Sequence, residues 1–237
     1  TPRQRLWYIR AKETILSTGS IERPIVFGNN DTPGVILSSA AKEYMKVYGV
    51  LVGKKPLIFT NNDSAYETAL EFKKNNVEPI ILDTREEQSS ELIEEAKSKG
   101  IDIRFSHGVI VANGYKKVKS AKIGKLNKDK TGFKKIETID CDCICVSGFW
   151  TPTVHLSSQS GNKLKYEDKI DAFIPDKSKQ QETTLGAANG TFTLQETLET
   201  SFNTSSDISS KITEEKTEIS IPNVTEKKYG SHDKFWC

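Results

Sequence analysis

The sequence predicts an α/β fold in which a parallel sheet with helical crossovers is joined to an antiparallel meander. Two stretches carry that prediction. Residues 55–105 alternate short apolar runs with helical spacing in the order β-α-β-α-β, the unit of a parallel sheet with right-handed connections. Residues 108–140 then change to strand patterning around Asn113-Gly114, the strongest hairpin signal in the chain.

Taken in order, Leu6 to Leu16 mixes β-type and polar residues and runs into Ser17-Thr18-Gly19-Ser20, which predicts a strand ending in a glycine turn. Ile25-Val26-Phe27 reads as a short strand or extended run, and Asn29 to Gly34 as dense turn chemistry. Ser38 to Tyr48 has helical spacing at Ala41, Met45 and Tyr48, with Gly49 as its C-cap. Leu57-Ile58-Phe59 is a buried strand, and Thr60 to Ser64 a turn able to cap the next helix. That helix carries its apolar stripe on Ala65, Tyr66, Ala69, Leu70 and Phe72, and ends near Asn75-Asn76. Pro79 to Leu82 is the second strand, closed by Asp83. Ser89 or Ser90 caps a helix through Leu92, Ile93 and Ala96, which stops at Gly100. Ile101 to Phe105 alternates as a third strand. Val109 to Ala112, then Val118, Ala121 and Ile123, continue as the meander, with a turn over Asn127 to Gly132. Cys141 to Val146 is a buried strand entering Ser147-Gly148.

The 237 residues fit one large domain or two small ones. Hydrophobic residues make up 35%, which points to a polar segment somewhere in the chain. That segment is expected at 201–237, where 11 Ser/Thr and 11 charged residues leave too little apolar area to offset the entropy of ordering; it reads as a linker or flexible tail, with Ile219 to Val224 as a possible edge strand. A net charge of +2 gives no sign of a nucleic-acid partner, and the lysines of 116–135 read as a solvated hairpin face. No stretch is apolar enough to cross a membrane, and no secretory signal is present, so no membrane partner is expected. Four cysteines in a chain this long suit a reducing cytoplasm rather than a disulfide framework. The chain opens on Thr1 in what reads as a mid-domain segment, so it is expected to be a piece of a longer protein.

The motifs show no Gly-x-Ser-x-Gly, P-loop or His-Glu-x-x-His, and one degenerate dinucleotide-type turn. A Gly-x-Gly-x-x-Gly/Ala turn after a strand lets a pyrophosphate approach the backbone at a helix N-terminus. Here those positions are Thr60, Asn62 and Ala65, and only the third fits. Asp83 stands where a ribose-binding acid would, about 20 residues on, although a strand-end cap is the commoner role for such a residue. The missing glycines favour a Rossmann-like unit that no longer binds its own dinucleotide in the usual way, with a working dinucleotide site and an unrelated α/β unit as the alternatives. Cys141, Cys143 and Cys145 alternate, so on a strand they face one side as small buried residues; zinc prefers Cys-x-x-Cys knuckles, and no metal site is expected. His107, His155 and His232 have neither ligand nor triad spacing, and only His155, beside Gly148-Phe149-Trp150-Thr151-Pro152, lies close to a notable loop.

Two loops share one theme, an apolar strand followed by Thr/Ser-Gly: Thr18 to Pro24 and Ser147 to Pro152. They flank the β-α-β-α-β unit. This arrangement resembles the thioredoxin-reductase-like flavoproteins, in which a second Rossmann domain is inserted into a first. The closer resemblance is to the alpha subunits of heterotetrameric sarcosine oxidases. It rests on Gly19-Ser20-Ile21-Glu22-Arg23-Pro24, Phe27 to Val35, Phe59 to Tyr66, Trp150 to Ser160, and Gly186-Ala187-Ala188-Asn189-Gly190, which looks like a closing helix start; together these span about residues 15–200.

The resemblance implies a complex that oxidises the N-methyl group of sarcosine with FAD, FMN, NAD and tetrahydrofolate. It implies NAD in the outer domain of the full-length subunit, with FAD, FMN and tetrahydrofolate elsewhere in the complex, and the other subunits of a hetero-oligomeric sarcosine oxidase as partners. It also implies a partition: 1–40 as the first part of an outer dinucleotide-binding domain, 41–145 as the inserted Rossmann-like domain, 146–200 as the returning outer part and 201–237 as the tail. By resemblance the cofactor-contacting residues are Gly148, Thr151, Leu156 and Ser158, with Thr18 and Gly19. No residue here is expected to be catalytic, and the isolated chain is expected to be inactive. Two alternatives stand: the large subunit of an opine or proline dehydrogenase or cyanide-forming amine oxidoreductase, and a non-catalytic module that docks subunits.

Overall fold

In the computed structural model, residues 3–213, 220–227 and 229–235 are described. Residues 3–13 carry no strand; β1 is only Thr14–Leu16. The expected strand over 6–16 is therefore short, and Leu6, Trp7, Tyr8 and Ile9 are exposed. β2 is Ser20–Glu22. Ile25 to Phe27 lies outside any strand. Gly28 bridges Val111, donating from its amide to the Ile110 carbonyl at 2.9 Å. A Cβ on Gly28 would meet Val111 Cγ2 at 3.0 Å, so the close approach of the two segments leaves little room for a side chain there.

β3 (Val35–Leu37) leads into α1 (Ser38–Tyr48), which ends on Gly49 in the left-handed region at φ 63°. Then follow β4 (Pro56–Thr60), α2 (Ser64–Lys74), β5 (Ile80–Asp83), α3 (Glu91–Ser98) and β6 (Asp102–Phe105). Ser90 caps α3, its hydroxyl accepting from the Ile93 amide, and Gly100 follows at φ 71°. The meander is β7 (His107–Asn113), β8 (Ser120–Leu126) and β9 (Phe133–Asp140), all antiparallel neighbours. Asn113-Gly114 opens a loop running to Lys119 rather than a two-residue turn. β10 is Cys143–Ser147.

These strands assemble in the order β3-β10-β4-β5-β6, every pair parallel. Alternation along β4 explains the layers. Ile58 faces α1, α2 and α3 with Ala41, Met45, Tyr66, Phe72 and Leu92, whereas Leu57 and Phe59 face the meander with Val109, Ala112, Ala121 and Ile123. Both faces are covered, which is why these strands read as continuous apolar runs. The three-layer parallel sheet with its meander is the α/β fold predicted.

The cysteines do not all share a face. Cys143 and Cys145 join the helix-side core, whereas Cys141 joins the meander-side core with Ile144 and Val146. The reason is local: 141–142 lies between β9 and β10 outside the strand, so period-two alternation does not reach it. Cys237 lies outside the described residues.

Beyond β10 come β11 (Trp150–Pro152), α4 (His155–Gln159), β12 (Leu164–Glu167), β13 (Ala172–Pro175), β14 (Glu182–Thr184), a 3₁₀ turn over Gly186–Asn189 and α5 (Leu194–Thr213). β12 and β13 form a hairpin, and β14 pairs in parallel with β1. The Gly186 to Gly190 run is thus a 3₁₀ turn, not the start of a helix. The expected tail at 201–237 is in part helix α5. Its Ser/Thr content is accommodated because hydroxyls bond back one turn, as from Thr197 to the Thr193 carbonyl at 2.7 Å and from Thr200 to that of Glu196 at 2.8 Å. Ile219 lies outside the described residues, and 220–224 forms no strand.

The chain divides into two compact units. The first holds the described residues up to Ile21 with Thr151–Glu226; the second holds Glu22–Trp150 with the described residues from Lys227 on. The divisions fall at other places than 40/41 and 145/146. Residues 22–40 go with the parallel sheet because β3 is its edge strand and Ile25 and Phe27 are buried in the meander-side core. Among the described residues, no helix is long and apolar enough to cross a membrane.

Candidate functional site

In open parallel sheets, ligands bind outside the carboxyl ends of the strands. In the second unit that region is formed by the residues following β4, β5 and β10. The Thr60 to Ser64 turn is bonded partly within itself and partly to Ser147 and Trp150. Thr60 Oγ1 accepts from the Asn62 amide at 3.1 Å and donates to the Asn62 carbonyl at 2.9 Å. Asn62 Oδ1 accepts from the Ser64 amide at 3.0 Å, and Asn62 Nδ2 donates to the Ser147 carbonyl at 3.1 Å. The Trp150 indole donates to Ser64 Oγ at 3.2 Å. The Asn62 and Ser64 amides are thus taken by the turn's own side chains, and the Asn61 amide by the Ser147 carbonyl at 3.3 Å.

A buried charge cluster completes the region. Arg85 lies between Asp63 and Asp83, with Nη2 at 2.7 Å from a carboxylate oxygen of each, and all three side chains are 4% exposed or less. Asp83 also accepts from the Arg85 amide at 3.0 Å and from the Tyr66 hydroxyl at 2.8 Å. Burial, then the neighbouring Asp83 carboxylate, holds the Tyr66 phenol protonated far above its ordinary range. Burial works against the Arg85 charge, but its bonds to Asp83 and Asp63 outweigh this and raise its affinity for the proton. Asp83 has its acceptors committed and serves as a strand-end anchor rather than a ribose ligand. Two carboxylates around one guanidinium give the cluster a net negative charge, which opposes a pyrophosphate. The sequence showed the missing glycines; it gave no signal that Arg85 would pair with Asp63.

Glu22 has a different task in the same unit. Its carboxylate accepts from the Ser39 amide at 2.8 Å and the Ser39 hydroxyl at 2.6 Å, supplying α1 with the acidic partner that its own first turn lacks. Burial pushes its pKa up, against the lowering effect of those bonds.

Five of the six residues expected at the cofactor lie in the first unit. Thr18 Oγ1 donates to the Thr153 carbonyl at 2.7 Å, and the Thr153 amide donates to the Gly19 carbonyl at 2.9 Å. Gly19 sits at φ +72° with open space around its Cα, so conformation rather than crowding selects glycine. Thr151 lies on β11, and Leu156 and Ser158 are exposed on α4, beside His155. These five offer hydroxyls and an apolar surface but no cation, which suits a sugar or base edge better than a pyrophosphate. The sixth, Gly148, belongs to the second unit. Its amide donates to the Arg23 carbonyl at 2.6 Å, and a Cβ would meet that oxygen at 3.0 Å. Among the described residues, no group of three or more His, Cys, Asp or Glu side chains could hold a metal ion.

The fold is a mixed α/β, Rossmann-type architecture, and it is shared with solved flavoprotein structures. Thioredoxin reductase of T. acidophilum matches 77% of the chain and 59% of its own at a TM-score of 0.60 and 18% identity. L-proline dehydrogenase of P. horikoshii matches 90% of the chain and 40% of its own at a TM-score of 0.50 and 20% identity. In sequence the chain is a relative of sarcosine oxidase subunit alpha. It is 33% identical over 202 residues to that of Corynebacterium sp. strain P-1 and 34% identical over 195 residues to that of Rhizobium meliloti strain 1021. These alignments take in 84% and 80% of the chain but only 20% and 18% of the relatives, so the chain spans about one fifth of their length. No family model matches.

Proposed function

We propose that this chain is the cofactor-domain segment of an alpha-type subunit in a sarcosine-oxidase-like amine oxidoreductase complex of the cytoplasm. One observation carries the reading: sequence identity with sarcosine oxidase alpha subunits runs through most of both units. The first unit contributes to NAD binding through Thr18, Gly19, Thr151, Leu156 and Ser158, and Gly148 shapes the turn at which the chain leaves the second unit. NAD supplies a dinucleotide to the subunit; these residues orient its sugar and base and move no proton. FAD, FMN and tetrahydrofolate belong to other parts of the complex, and the partners are its other subunits. The test is NAD released by denaturing the full-length subunit. About one NAD per subunit is expected, falling sharply in Ser158→Trp while the fold is retained; an unchanged NAD content in that variant would overturn the assignment.

A second reading, a proline-dehydrogenase-like large subunit, is favoured by the neighbour whose match takes in 90% of the chain. The oxidation of sarcosine against proline by the full-length complex separates the two.

A further inference from the structure

We propose that the strand-end crevice of the second unit is a peptide-binding site whose occupant is the chain's own Gly230–Phe235 segment, and that it takes no nucleotide. The contacts are those of a built site. The main chain of the segment is read from both sides of the crevice. The Gly230 amide donates to Asp63 Oδ2 at 2.7 Å, and Arg85 Nη1 donates to the Ser231 carbonyl at 2.6 Å. Asn61 makes a reciprocal pair with Asp233: its carbonyl accepts from the Asp233 amide at 3.0 Å, and its Nδ2 donates to the Asp233 carbonyl at 2.7 Å. The same Nδ2 reaches the Phe235 carbonyl at 3.3 Å. Main-chain bonding of this kind holds an extended peptide irrespective of its side chains.

Side chains then supply selectivity. Phe235 is buried, its ring edge-on to Phe59 with centroids 6.4 Å apart. His232 stacks on Phe149 at 4.2 Å, with the rings 6° from parallel. Asp233 pairs with Lys130 and accepts from the Thr84 hydroxyl at 3.4 Å. The residues doing this, Asn61, Asp63, Thr84 and Arg85, stand where a dinucleotide's phosphate and ribose partners would stand in an active Rossmann unit. Asp63 and Asn61 suit amide recognition and oppose phosphate, so the departures from the glycine pattern are what this peptide requires.

The inference is independent of the NAD assignment, which concerns residues of the first unit. Hydrogen exchange on the full chain tests it, with the β5 amides as internal reference. In the native chain the Gly230 and Asp233 amides are expected to be protected. Asn61→Ala should speed their exchange about tenfold, the loss of roughly two modest hydrogen bonds, and leave β5 unchanged. Phe235→Ala should do the same without creating saturable binding of ADP-ribose. Unprotected Gly230 and Asp233 amides in the native chain would overturn the proposal. So would ADP-ribose binding to Phe235→Ala that Asp83→Asn abolishes, which would mean a nucleotide site beneath a strap. A dimer that Asn61→Ala converts to monomer would also overturn it, because the occupant would then come from a second copy.

Discussion

The two units treat the same problem, a strand end followed by a turn, in opposite ways. In the second unit the turn after β4 is closed: the Asn62 and Ser64 amides bond to side chains of the turn, Asp63 pairs with Arg85, and Asn61, Asn62 and Asp63 are each 1% exposed or less. In the first unit, Thr18, Leu156 and Ser158 are exposed, and Gly19 has open space where a side chain would point. A closed turn must pair its polar groups, because each one buried without a partner costs about 1–3 kcal/mol. The second unit disposes of them with Thr60, Asn62, Arg85 and the peptide. The groups of the first unit can be left to water or to a ligand.

The sharpest way to break this comparison is to unpair the buried charges. Arg85→Ala leaves Asp63 and Asp83 facing each other, and unfolding in denaturant should show a loss of about 3–5 kcal/mol. Adding Asp63→Asn should recover part of it. A loss below 1 kcal/mol would mean that the cluster is hydrated rather than closed.

The two glycines sharpen the contrast next. Gly148→Ala drives a Cβ against the Arg23 carbonyl and should cost roughly 1–3 kcal/mol. Gly19→Ala is limited only by its positive φ, at roughly 1–2 kcal/mol. Asparagine, which tolerates that conformation, should be milder than alanine at Gly19 and worse than alanine at Gly148. Thermal melts of the four variants check the order.

Smaller effects come from titration, and two carboxylates of the second unit work in opposite directions. Glu22 holds its proton more tightly folded than unfolded, because burial raises its pKa. Its contribution therefore favours the fold below the ordinary carboxylate value and is lost as pH rises through the raised one. The stability of the wild type relative to Glu22→Gln should fall across that window. Glu95 is held down to about 2 by Lys227 and Lys99, so its contribution is present above the ordinary carboxylate value and lost as pH falls to about 2. Stability curves against pH for Glu22→Gln and Glu95→Gln should bend opposite ways.

The smallest expected effect is none. Cys141 is pushed up to about 12, chiefly by burial, and Cys145 is raised by its contact with Cys143 and by burial. In a Cys237→Ser chain, no thiol should react with a disulfide reagent at pH 8 until the fold opens.

The β-α-β-α-β run was legible because its signals are local: alternating burial on β4, the Ser90 cap and the stops at Gly49 and Gly100 each act within a few residues. The Phe27 to Val35 turn was legible as a turn but not in its purpose, which is to lie along β7 through Gly28 and hold the Val118 amide with the Pro33 carbonyl at 2.9 Å. Residues 229–235 were illegible because their composition is polar and their order comes from Asn61 and Arg85, well over a hundred positions away. Helix α5 was missed for a related reason: Ser and Thr lower helix propensity in general, yet here their hydroxyls bond back along the helix. Thr60 and Asn62 were legible as departures from the glycine pattern, and only packing shows what those side chains bond to.

Photo-crosslinking of the full-length subunit with an azido-NAD, followed by mapping of the labelled peptides, tests the central claim most directly. The account predicts label on the peptides around Thr18 and residues 151–158 and none on 60–65 or 83–85. Label on Thr60 to Ala65 or at Asp83, competed away by NAD, would contradict it.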